Sequence, residues 1–121
     1  MLRSINFYFA DMSQIDPVIL ARGVCQIPRV QMVYLKLTVG HLIEIARCRV
    51  KQKCSLMELD ISKNDFSELT DYKLVGQAIG RMHKVNFQMC QLSQEKWSEI
   101  INAIQGLGEE RQLAWDNLIY S

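Results

Sequence analysis

The side chains in this chain that could carry chemistry are few and dispersed. They are His41 and His83, the cysteines Cys25, Cys48, Cys54 and Cys90, and a basic run at Arg47, Arg49, Lys51 and Lys53. Nucleophilic catalysis needs a base beside the nucleophile and a carboxylate to orient that base. Both histidines fall in stretches that read as turns, so solvated turn residues are expected at His41 and His83. Asp11-Met12-Ser13 and Asp60-Ile61-Ser62 each place an acid two residues from a hydroxyl. That is the spacing of turn and capping hydrogen bonds rather than of an acid and nucleophile. The cysteines show no C-x-x-C spacing and no accompanying histidine pair, which leaves a zinc site without a frame. Free thiols acting as small interior hydrophobes are expected instead. No phosphate-cradling glycine loop, dinucleotide fingerprint or H-E-x-x-H is present. The chemistry points to a non-enzyme without metal or cofactor.

Composition narrows the classes further. The 121 residues suit one domain spanning 1–121, and 49% hydrophobic with 22% charged residues is the profile of a folded core. Fourteen Lys and Arg against 13 Asp and Glu leave no global field to attract nucleic acid. The first residues, Met1-Leu2-Arg3-Ser4-Ile5-Asn6, lack the apolar run of a secretory signal, and no stretch reaches the roughly 18 apolar residues that cross a bilayer. A cytoplasmic chain that inserts in no membrane is the expectation.

The elements that would position these residues are punctuated by one device written twice. Residues 61–69 and 92–100 both place an aliphatic residue before a serine and an aromatic four positions after it, the pattern of a helix N-cap with a hydrophobic staple. Helices are therefore expected after Ser62 and Ser93. Each follows an alternating stretch, Leu56 to Asp60 or Val85 to Met89, that reads as a strand. Ser4 to Phe9 alternates as well, and the segment after Pro17 fits a strand or one helical turn. Residues 30–52 alternate around Gly40-His41 and read as an antiparallel hairpin with a basic wet face. For residues 73–82 two readings survive, a continuation of the helix after Ser62 or a strand pairing with 85–91. Gly106 and Gly108 end the helix after Ser93, and a last helix is expected at 109–120.

The stretch Val85 to Ile104, with its strand, its Leu92-Ser93-Gln94-Glu95 linker and its helix, resembles the closing part of PilZ domains. Gly80-Arg81 would fit the preceding strand. The resemblance implies a curled barrel and, in the family, cyclic di-GMP held by an R-x-x-x-R element and a D/N-x-S-x-x-G element. Here Asp60-Ile61-Ser62 is followed by Asp65 in place of the glycine, and Arg47 to Lys51 gives only R-x-x-x-K. The resemblance thus implies a degenerate member that acts through protein contacts.

These observations converge on an α+β fold, an antiparallel curled or barrel-like sheet with C-terminal helices, acting as a small non-catalytic adaptor or regulatory module. Two other readings stand beside it: a cyclic-dinucleotide-responsive sensor, and an unrelated immunity- or antitoxin-type binding protein. The candidate ligand site is Arg47, Arg49, Asp60 and Ser62. The candidate surface for a protein partner or self-association is Tyr34 with Leu113, Trp115, Leu118 and Ile119, since aromatic anchors favour interfaces.

Overall fold

In the computed structural model, which describes residues 2–106 and 118–120, the strands are β1 (Ser4–Tyr8), β2 (Arg29–Val33), β3 (Glu58–Asp60), β4 (Lys84–Phe87) and β5 (Leu118–Tyr120). They lie side by side in chain order, and every neighbouring pair is parallel. This overturns the expected antiparallel curled or barrel-like sheet, and with it the barrel that the PilZ resemblance implies. Parallel neighbours cannot be joined by a hairpin and need a crossover of a dozen or more residues. The crossovers here carry the helices α1 (Pro17–Val24), α2 (Val39–Lys51), α3 (Tyr72–Gly80) and α4 (Gln94–Gln105).

Helix α2 occupies the segment expected as the second half of a hairpin. Its buried residues His41, Leu42, Ile45, Ala46 and Cys48 follow helical spacing, with Arg47 left in solvent. Residues 73–82 likewise hold α3 rather than a strand, starting at Asp71, whose carboxylate accepts from the Leu74 amide at 3.1 Å. No helix starts at Ser62. Its hydroxyl and amide instead donate to Asp60, at 2.7 and 3.0 Å. Ser93 does cap α4, its Oγ accepting from the Lys96 amide at 3.3 Å. The segment after Pro17 is helical, opened by Asp16, which accepts from the amides of Val18 and Ile19. Of the expected last helix at 109–120, residues 109–117 lie outside the described residues and Leu118–Tyr120 form β5.

A repeat underlies this order, in a register different from the pairing of 61–69 with 92–100. Leu56, Leu59, Ile61, Asn64 and Phe66 recur as Met82, Val85, Phe87, Cys90 and Leu92. The same spacing places Ile27, Val30, Met32, Leu35 and Leu37 before them, and Leu2, Ile5, Phe7, Ala10 and Met12 before those. Each unit supplies one strand, a tight turn, and a return segment with a helix. The turn is the same each time: Phe9, Tyr34, Lys63 and Met89, each just before the fourth motif position, take φ values of 55°, 59°, 59° and 57°. Stacked units bury a continuous core because each covers the open side of its neighbour. The inward row Ile5, Val30, Leu59, Val85 and Leu118 runs straight across all five strands.

Consecutive helices pack on one another, α1 on α2, α2 on α3 and α3 on α4. The last pair is closest at Gly76, where an added Cβ would sit 2.5 Å from Ala103 Cβ and 2.6 Å from Ile100 O. Ala is the better helix former by about 1 kcal/mol, yet overpacking costs about 1–3 kcal/mol, and backbone at Ile100 has no rotamer by which to withdraw. Gly76→Ala is therefore expected to lower the urea midpoint, and a raised midpoint would show that α3 and α4 can separate without loss.

Candidate functional site on the open sheet face

Parallel sheets are ordinarily covered on both faces. Among the described residues this one is covered on a single face, and the other carries two rows of polar side chains. The first row is Ser4, Arg29, Glu58 and Lys84; the second is Asn6, Gln31, Asp60 and Asn86, ending at Ile119. Together with Val30 and Leu59 they line a groove of about 270 Å³. Strand geometry alone aims them there: within Ile5-Asn6-Phe7, Val30-Gln31-Met32, Leu59-Asp60-Ile61 and Val85-Asn86-Phe87, the flanking apolar residues face the helices and the central polar one faces out.

The first row alternates in sign. Arg29 Nε lies 2.5 Å from Glu58 Oε2, and Lys84 stands in register with Glu58 on its other side. Such exposed pairs contribute at most about 1 kcal/mol to stability, which leaves their charges open to a partner. The second row is held by local turns: Asp60 accepts from Ser62, and Asn86 Oδ1 accepts from the Gln88 amide at 2.9 Å. Tyr8 donates its hydroxyl to Gln31 Oε1 at 2.8 Å. Beyond Tyr8 the strand ends carry an exposed aromatic rim, with the Phe9 and Tyr34 ring centroids 5.5 Å apart.

Of the residues that sequence alone singled out, Asp60 and Ile119 lie on this groove and Tyr34 on its rim. Leu118 points into the core, and Leu113 and Trp115 lie outside the described residues. Arg47 and Arg49 belong to α2, on the covered side of the sheet, so the structure does not bring them together with Asp60 and Ser62. Arg47 pairs with Glu44 one helical turn away. Arg49 is a structural tie: its Nη2 donates to Arg81 O at 2.8 Å and its Nη1 reaches Cys54 O at 3.5 Å. His41 is not a solvated turn residue. It is 1% exposed, its Nδ1 accepts from the Thr38 amide at 3.0 Å, and its Nε2 donates to Ile15 O at 2.7 Å, tying α2 to the loop before α1.

Sequence reasoning passed over Arg29, Gln31, Glu58, Lys84 and Asn86, although the apolar-polar-apolar triplet written four times was a usable signal. Among the described residues no group of His, Cys, Asp and Glu could hold a metal ion, and no helix is long and apolar enough to cross a membrane. No family model, no curated protein and no solved structure matches this chain.

Proposed function

We propose that the chain is a non-catalytic binding module, built like a leucine-rich-repeat solenoid, whose open sheet face receives an extended segment of a protein partner. The motif spacing supports the architecture: Leu56, Leu59, Ile61, Asn64, Phe66 and its copy ending in Cys90 and Leu92 follow the L-x-x-L-x-L-x-x-N/C-x-L order of such repeats. One observation carries the role. The amides of Asn6, Gln31 and Asn86 stand in a single row across the strands, with charges of both signs beside them. Amide side chains both donate and accept, as the backbone of an extended peptide does, so they can hold a chain while Arg29, Glu58 and Lys84 select its charges. Strands about 4.8 Å apart spread the five-strand row over roughly 20 Å, the length of an extended segment of about six residues. The near-neutral charge of this face suits a peptide better than a phosphate backbone.

The test is selection of linear peptides from a displayed library on the intact chain, followed by replacement of groove and control residues. Gln31→Arg and Asn86→Arg fill the groove and are expected to weaken selected peptides at least about tenfold, a loss of about 1.4 kcal/mol. Glu99→Arg on α4 is expected to leave them unchanged. Binders that ignore both groove variants, or a library that yields none, would overturn the reading.

A further inference from the structure

Three of the four thiols gather on the side of the molecule away from the groove. Cys25 closes α1, Cys48 lies on α2, and Cys54 stands in the loop leading to β3. The loop is fixed against α1 by the Ser55 amide, which donates to Cys25 O at 2.7 Å. Cys25 is buried, with the thiols of Cys54 and Cys48 as neighbours. Cys54 is half-buried and therefore open to a small reagent. It also lies beside Arg49, whose Nη1 reaches Cys54 O at 3.5 Å and whose Nε is buried without a partner among the described residues. The Cys25 thiol and the Arg49 charge beside it favour a thiolate at Cys54 and hold its pKa below the ordinary thiol value, while the Cys54 thiol and burial push Cys25 up.

We propose that Cys54 and Cys25 form a peroxide-reactive pair that closes a reversible disulfide between the end of α1 and the loop before β3. The Cys54 thiolate attacks one oxygen of hydrogen peroxide; the O–O bond breaks, hydroxide leaves and is protonated to water, and Cys54 becomes a sulfenic acid. The Cys25 sulfur then attacks the Cys54 sulfur, displacing hydroxide, which departs as water with the Cys25 proton. Two thiols are oxidised and one peroxide is reduced to two waters. A small-molecule dithiol reverses the change by exchange through a mixed disulfide. Cys90 is the internal control, since its thiol is buried, donates to Ile61 O at 3.3 Å and is pushed up to about 12 by desolvation.

The experiment treats the full chain with one to a few equivalents of hydrogen peroxide, quenches with acid, alkylates the remaining thiols and maps peptides without reduction. The expected product is a Cys25–Cys54 linkage lighter by two hydrogen atoms, removed by dithiothreitol, with Cys54 consumed at least about tenfold faster than Cys90. Cys25→Ser is expected to stall the reaction at a sulfenic acid on Cys54 that dimedone traps. Because the wild-type map needs no variant, an unfolded Cys25→Ser chain would not shield the proposal. A Cys25–Cys48 linkage, over-oxidation without any linkage, or equal rates at Cys54 and Cys90 would overturn it.

Discussion

Asn64→Ala is expected to cost about 3–5 kcal/mol, a large share of the 5–15 kcal/mol by which a domain is ordinarily stable. Asn64 is 1% exposed and joins two repeats through its one side chain. Its Oδ1 accepts from the amides of Leu35 and Leu37, at 3.0 and 3.1 Å, in the repeat before its own. Its Nδ2 donates to Met32 O and Ile61 O, both at 2.9 Å, and to Ser62 O at 3.2 Å. Alanine would leave the two buried amides and the Met32 carbonyl without the asparagine, while Ser62 O keeps the Tyr34 amide and Ile61 O the Cys90 thiol, and each group left unpaired costs about 1–3 kcal/mol unless water reaches it. Asn64→Asp keeps the acceptors but turns a negative charge on the three carbonyls, so it should be no milder. Asn64→Cys should be the gentlest change, because Cys90 holds the equivalent place one repeat later and donates its thiol to Ile61 O. Urea unfolding with an unchanged slope measures all three. A loss below about 1 kcal/mol for Asn64→Ala would mean that the turns hold each other without the asparagine.

Phe87→Ala is the second large effect, about 3–5 kcal/mol by the usual cost of emptying a buried phenylalanine site. Phe87 is 1% exposed at the inward end of β4, and its ring meets Phe66 edge-on at 6.2 Å and Trp97 edge-on at 5.5 Å. Trp97 in turn lies 4.6 Å from Tyr120 of β5, so this one ring ties the turn after β3, helix α4 and the last strand together. Edge-to-face pairs add about 0.5–1.5 kcal/mol to the area they bury. Phe87→Leu should recover most of the loss, since the same motif position holds Met32 and Ile61 in neighbouring repeats. Near-ultraviolet dichroism of Trp97 and thermal unfolding read the effect. Equal losses for Leu and Ala would show that ring geometry matters more than filled volume.

Several elements could be read without the structure because their causes are local. Alternation in Ile5-Asn6-Phe7, Leu59-Asp60-Ile61 and Val85-Asn86-Phe87 marks β1, β3 and β4, and Ser93 with the apolar series Trp97, Ile100 and Ile104 marks α4. Residues 42–50 were misread as a strand for an equally local reason. Leu42, Ala46 and Val50 share one face whether the period is 2 or 3.6, and only the burial of Ile45 with Ala46 decides for the helix.

The amino-acid sequence by itself determined the apolar positions of each repeat, the caps Asp16, Asp71 and Ser93, and the polar residue at the centre of each strand. Tertiary structure alone decided that the strands run parallel, that Arg47 and Arg49 fall on the opposite side from Asp60, and that His41 is buried. Alternation states that a strand has two unlike faces but not which neighbour it pairs with or what covers each face. Those depend on the return path of every crossover, and helices α1 to α4 return on one side, so that among the described residues nothing covers the row of Asn6, Gln31, Asp60 and Asn86.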